Sequence, residues 1–163
     1  MTPVPDATAQ DRLDILRNTR SVAIVGMSTD PSRASYFVAT YLLSSSCSFE
    51  HIWFVNPKGG EVFGRRVHTS LAALPEAPDL VDVFRRAEDL PKVAREVVAI
   101  PGTCTFWTQL GLRSEEAARI VASTGRRVVM DRCLKIEHAR FAGGLHLAGF
   151  DTGVINSRRR PPL

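Results

Sequence analysis

Four short segments gather residue types that suit an anionic nucleotide. In "VGMSTDPSRASY" (25–36), Gly26 lets the backbone leave a strand tightly, and Ser28 offers a small hydroxyl beside the next helix. Asp30-Pro31 is a turn pair, and Arg33 stands where that helix begins. A helix N-terminus presents free N–H groups and partial positive charge, which suits a phosphate. A dinucleotide fingerprint has three glycines at such a turn, and this one has Gly26 alone. The alternative is a plain strand-to-helix turn. On the ligand reading, Gly26→Val is expected to block backbone approach to a phosphate while leaving the sheet folded.

The second segment, "NPKGG" (56–60), discriminates between ligands. NAD folds place an acid near the end of the second strand to accept a bond from the ribose 2′-OH. Here stand Asn56, Pro57 and Lys58. A cation in place of an acid argues against NAD and for a ribose carrying a phosphate, as in NADP or coenzyme A; the alternative is an ordinary solvated loop lysine. In the third segment, "FRRAED" (84–89), Arg85 and Arg86 could meet phosphates and Phe84 could flank an adenine; a solvated helix start is the alternative. Asp82 lies inside the preceding strand. An unpaired buried carboxylate is costly, so a hydrogen-bonded structural role is expected for it. The fourth segment is "TQLG" (108–111).

Elsewhere, reactive chemistry is sparse. The histidines are His51, His68, His138 and His146, and none adjoins a partner that completes a catalytic arrangement. His138, on a helical stretch, reads as structural. Cys47, Cys104 and Cys133 are odd in number and lack C-x-x-C spacing, so neither a disulfide framework nor a zinc site is expected, and the protein reads as reduced and cytoplasmic. Cys133, between Arg132 and Lys135 in "MDRCLK", is the candidate redox thiol; the alternative is a small buried residue at a strand–helix junction.

The surrounding elements must position these segments. Strand signals fall at 21–26, 51–56, 80–84, 104–109 and 127–131, and helical spacing at 33–43, 87–100, 113–124 and 135–141. A further helix is expected around Asp11 to Arg17. Ser114 is a candidate N-cap, without a capping box because Ala117 stands where Glu or Gln would be needed. Alternating strands and helices imply an α/β fold: a Rossmann-like, doubly wound parallel sheet. Five main strands in the order 3-2-1-4-5 are expected, with the reversal between strands 1 and 4. Segments 56–70 and 142–163 read as irregular. One domain over residues 1–150 and a basic tail over 151–163 follow.

Composition agrees with that picture. The chain has 163 residues, of which 44% are hydrophobic and 23% charged, with a formal net charge of +4. This is a globular balance. No apolar run approaches the roughly 20 residues that span a bilayer, and the N-terminus lacks the features of a signal peptide. The basic residues lack interleaved exposed aromatics, so nucleic-acid binding is not expected.

Taken together, "VGMSTDPSRASY", "VNPK", "VDVFRRAED", "WTQLGLRSEEAA" and "VVMDRCLKIEHARF" resemble the CoA-binding-domain family, in its small stand-alone form typified by bacterial YccU. That family is similar in fold to the N-terminal CoA-binding domain of the succinyl-CoA synthetase α subunit. The resemblance covers residues 11 to 150 and implies coenzyme A, or an acyl-CoA, as ligand. It implies Gly26, Ser28, Pro31, Arg33 and Ser35 along the pyrophosphate-side loop, with Ser35 or Tyr36 the nearer ligand. Asn56, Pro57 and Lys58 would form the second ligand loop. Val83, Phe84 and Arg85 would border the adenosine, and Gln109 and Gly111 the pantetheine path. The synthetase reacts through a phosphohistidine outside its CoA-binding domain, for which this chain leaves no room. The expectation is a ligand-binding module without catalytic machinery of its own. Alternatives are an acyl-CoA-handling enzyme acting with a partner, a thiol-redox activity at Cys133 able to form a mixed disulfide with CoA, or an NADP-binding protein. A protein partner or homodimer is open.

Overall fold

The computed structural model describes residues 2–44 and 47–142. The expected tail over 151–163 and the end of the expected domain lie outside the described residues.

In chain order the elements are α1 (Ala9–Asn18), β1 (Ser21–Val25), α2 (Ala34–Leu42), β2 (His51–Val55), β3 (Glu61–Val62) and β4 (Arg65–His68). They continue with β5 (Leu80–Val83), α3 (Leu90–Val98), β6 (Thr105–Thr108), α4 (Glu115–Ala122), β7 (Val128–Val129) and α5 (Leu134–Ala142). The sheet runs β3-β4-β2-β1-β5-β6-β7. Every pairing is parallel except β3–β4.

β1 is buried along its whole length, as a strand covered on both faces must be. Its side chains alternate. Val22 and Ile24 meet Leu13 of α1, Val38 and Leu42 of α2, and Leu134 and Phe141 of α5 in one apolar cluster. Ala23 and Val25 meet Leu90, Val93 and Val97 of α3 and Ala117 and Val121 of α4 in the other. The α/β class and the doubly wound, mostly parallel sheet are therefore as expected.

The strand order is not 3-2-1-4-5. The strand at 80–83 pairs with β1, Val22 against Leu80 and Val25 against Val83. The place beyond β2 belongs to β4, Phe54 against Val67, within a stretch read as irregular. Counted as the third parallel strand, β4 gives the order 3-2-1-4-5-6. The reversal falls between β1 and β5. β4 reaches its place through a hairpin, in which Phe63 and Gly64 hold φ of +56° and +68°. Positive φ at both central residues is what a primed two-residue turn requires. Val62 and Val67 are buried on the core side of this hairpin.

Helix ends follow local chemistry. Thr8 caps α1 in a reciprocal box with Asp11: the Asp11 N–H donates to Thr8 Oγ1 at 3.0 Å, and the Thr8 N–H to Asp11 Oδ2 at 2.8 Å. Ser114 caps α4 by accepting from the Ala117 N–H at 3.1 Å, with no reciprocal bond, as the sequence implied.

Candidate functional site

The carboxyl ends of β1, β2, β5 and β6 bring the four segments to one edge of the sheet, around the strand-order reversal. The first turn is tightly tied. The N–H groups of Gly26 and Met27 both donate to Val55 O, at 2.9 and 3.1 Å. Gly26 holds φ +85°, and a Cβ added there would lie 2.1 Å from Phe84 O and 3.1 Å from Arg85 Cδ. The glycine is thus required by the β1–β5 contact itself. Gly26→Val would disturb the sheet, which corrects the expectation of an intact fold.

Beyond Met27 the loop folds on its own side chains. The Ser28 N–H donates to Ser35 Oγ at 3.0 Å, and the Asp30 N–H to Ser28 Oγ at 3.0 Å. Asp30 Oδ1 accepts from the Ser32 N–H and hydroxyl at 2.9 and 2.8 Å. These two bonds hold the Asp30 carboxyl below its ordinary range, the backbone bond first. Ser28 and Ser35 each act as acceptors here and retain a hydroxyl proton to donate. Arg33 precedes α2 as its N-cap residue and makes no side-chain capping bond. The leading N–H groups of α2 therefore face outward at the reversal, which is the arrangement that attracts an anion. Pro31 and Arg33 are exposed, whereas Ser35 is buried.

Asn56 braces two loops rather than pointing outward. Its Nδ2 donates to Met27 O at 2.9 Å, and its Oδ1 accepts from the Lys58 N–H at 3.0 Å. Pro57 and Lys58 are exposed. Tyr36 packs on Phe63 at the tip of the β3–β4 hairpin, with ring centroids 4.5 Å apart. Phe63 is thus a site-edge residue that the loop reading of 56–70 could not supply.

Val83 is fully buried in the α3/α4 cluster, so its side chain serves the core. Phe84 and Arg85 are half-buried. With Arg86 and Asp89 they line a cavity of about 410 Å³. Arg86 is paired with Glu88 at 2.9 Å and Asp89 at 3.0 Å. Among the described residues, Arg85 and Lys58 take part in no ion pair, and Arg33 reaches only Asp30 at 3.9 Å. Two cations without carboxylate partners among the described residues thus stand on the loops after β2 and β5 that meet the first turn: Arg85 lies against Gly26, and the Lys58 N–H bonds Asn56, which in turn bonds Met27 O.

At the end of β6, Gln109 is half-buried and its Oε1 is buried without a hydrogen-bond partner among the described residues. The Gly111 N–H donates to Asp131 Oδ1 at 2.7 Å. Asp131 holds φ +60° and also reaches Arg113 Nε at 3.5 Å. Arg113 in turn grips Asp6 through two hydrogen bonds of 3.0 and 3.1 Å. Asp131 and Arg113 hold the 109–113 loop, and sequence spacing carried no signal for either.

Asp82 departs from expectation. It is fully buried, and neither carboxylate oxygen has a hydrogen-bond partner among the described residues. Its neighbours across the sheet are Ile24 and Trp107, which leaves the carboxyl among apolar side chains. Burial pushes its pKa well above the ordinary range.

Cys133 is half-buried. The flanking cations are engaged elsewhere: Arg132 reaches Glu137 at 3.9 Å, and the Lys135 ammonium sits 3.8 Å from the Phe37 ring centroid. A cavity of about 560 Å³ lies away from the four segments, between the chain leading into β5 and the end of α3. No helix among the described residues is long and apolar enough to cross a membrane.

Known proteins are similar to this chain in sequence and fold. The Bacillus subtilis (strain 168) protein YneT is 38% identical over 126 residues, which covers 77% of this chain and 90% of YneT. The α subunit of acetate–CoA ligase (ADP-forming) I of Pyrococcus furiosus is 28% identical over 127 residues, spanning 72% of this chain but only 27% of the subunit. The solved structure of cell-free ID.343 from Thermus thermophilus superposes with a TM-score of 0.73 at 34% identity, covering 82% of this chain and 98% of that one. Residues 20–139 match the family described as CoA binding domain. By that match and the kinship with YneT, the chain belongs to the CoA-binding domain family.

Proposed function

We propose that this chain is a cytoplasmic coenzyme A-binding module. Family membership supports the class of ligand. The observation that carries the reading is the pair of cations, Lys58 and Arg85, without an ion-pair partner among the described residues, on the two loops that meet the Gly26–Met27 turn leading to α2, whose cap residue makes no side-chain capping bond. The outward N–H groups of α2 and the hydroxyls of Ser28 and Ser35 suit a pyrophosphate. Arg85, laid over Gly26, adds charge from β5, and Phe84 offers an apolar edge to an adenine. Lys58, beyond β2, suits a phosphate on the adenosine ribose. Gln109 Oε1, without a partner among the described residues, is available to an amide N–H of the pantetheine arm, beside the loop held by Asp131.

In this reading Asn56 acts as a brace and Tyr36 as a wall shared with Phe63. NADP carries a ribose phosphate too, so the experiment must separate the two nucleotides. Mass spectrometry of ligand released from purified protein, followed by exchange against CoA, an acyl-CoA and NADP, does so. Release of CoA, and its displacement by CoA or acyl-CoA but not NADP, is the expected result. Preferential NADP binding would replace the proposal with a dinucleotide reading.

A further inference from the structure

Away from the nucleotide edge, the fold brings together three side chains widely separated in sequence. On α5, His138 is 4% exposed. Its Nδ1 lies 2.8 Å from the Tyr41 hydroxyl, at the end of α2. Its Nε2 lies 4.0 Å from Cys47 Sγ, in the segment between α2 and β2. Phe49 packs on the imidazole, ring centroids 5.0 Å apart. Cys47 is itself half-exposed. A nucleophile within reach of a base, with the base oriented by a third group, is the arrangement that activates a thiol.

We propose that Cys47 is a base-assisted thiol, with His138 as proton acceptor and Tyr41 orienting the imidazole, that exchanges with low-molecular-weight disulfides. With Nδ1–H donating to the Tyr41 oxygen, the Nε2 lone pair faces Sγ. His138 takes the thiol proton as the Cys47 sulfur attacks one sulfur of the disulfide. The disulfide bond breaks, a Cys47–S–S–R bond forms, and the departing thiolate recovers the proton from His138. Cys47 is oxidised and the released half is reduced, so electrons and protons balance. The inference stands independently of the CoA reading.

Among the described residues, the titratable groups facing His138 are Tyr41 and Cys47. Lys135, one turn earlier on α5, places its ammonium over the Phe37 and Tyr41 rings, 3.8 and 5.9 Å from their centroids. Glu137 turns the other way, to Arg12 of α1 at 3.0 Å and to Arg132 and Arg140 at 3.9 and 3.7 Å. Burial lowers the His138 pKa, which keeps the imidazole neutral near pH 7. Burial raises the Cys47 pKa, opposed by backbone bonds from Phe49 and Ser48. Such a thiol ionises poorly alone and depends on a base. Cys104 offers no rival: it is buried, and burial pushes its thiol up to about 12.

The test is intact-mass and peptide analysis after incubating the native protein with oxidised glutathione. One reducible adduct on Cys47, absent from Cys47→Ser, is expected. Its rate should be nearly flat between about pH 7 and 8.5, because the imidazole is already neutral and the thiol not yet ionised. His138→Gln should slow it by about tenfold or more, and Tyr41→Phe by a smaller factor. An adduct on Cys133 with Cys47 untouched overturns the proposal. So does a wild-type rate that climbs about tenfold per pH unit, the mark of an unassisted thiol. A folded His138→Gln protein reacting at the wild-type rate also overturns it. If His138→Gln fails to fold, the wild-type pH profile decides alone.

Discussion

Replacing Gly26 with alanine tests whether this glycine serves the sheet or only a ligand. The added Cβ would stand 2.1 Å from Phe84 O and 2.9 Å from Phe84 C, where ordinary contact needs 3.4–4 Å. The obstacle is backbone, so the end of β5 must retreat by well over an ångström. That retreat strains the bond from the Phe84 N–H to Val25 O, now 2.8 Å. Losing such a bond costs about 1 kcal/mol. A non-glycine residue at φ +85° adds about 1–2 kcal/mol. Together these place Gly26→Ala about 2–3 kcal/mol below the wild type. With an m-value of about 2 kcal/mol/M, the urea midpoint should fall by about 1–1.5 M. Equilibrium unfolding followed by circular dichroism measures it. A midpoint lowered by less than about 0.4 M, with unchanged slope, would refute the reasoning and restore a purely ligand-directed role for Gly26.

Asp82 predicts a pH dependence. Its folded-state pKa is raised by burial, so the folded protein keeps a proton that the unfolded chain gives up above about pH 4. Stability should therefore fall as pH rises from there, by up to about 1.4 kcal/mol per unit until the folded-state pKa is passed. In Asp82→Asn that contribution should vanish, and urea midpoints across pH 4 to 7 that keep the wild-type slope would count against it. Glu137 and Arg12 form a buried pair at 3.0 Å, so Glu137→Gln leaves a buried guanidinium without its counter-charge. A loss of about 3 kcal/mol is expected, read as a lower urea midpoint; a loss under about 1 kcal/mol would mean solvent reaches Arg12. Asp131→Ala should free the Gly111 N–H and weaken CoA about tenfold, a bond to a charged group being worth about 1.5–3 kcal/mol. Asp131→Asn, which keeps an acceptor, should recover most of that affinity, and equal loss in both variants would assign the effect to charge instead.

What could be read from the chain depended on how local the cause was. β1 announced itself through five apolar or small residues before Gly26, and the α4 cap through Ser114 itself at the head of a helical stretch, with Ala117 three places on excluding a reciprocal box. The place of β4 was hidden because Arg65, Arg66 and His68 surround a single buried valine, Val67, in a glycine-rich stretch. Without it, the strand at 80–83 was assigned the seat beyond β2. The four site segments were legible because each follows its strand directly. Their internal wiring was not: Asn56 bonds across 29 positions to Met27, and Gly111 across 20 to Asp131. The same limit hid His138 beside Cys47, 91 positions away. Asp82 was recognised as buried, but its apolar surroundings are set by neighbouring strands.

Titration calorimetry of CoA and dephospho-CoA against the wild type and Lys58→Ala tests the central claim most directly. The exposed position of Lys58 places its contribution at the low end for a charged contact, about 1.4 kcal/mol, or tenfold in affinity. The wild type should bind CoA about tenfold more tightly than dephospho-CoA, and Lys58→Ala should bind the two nearly equally. Higher salt should shrink the wild-type preference. No heat of binding for CoA, or an equal loss for both ligands on removing Lys58, would contradict the account.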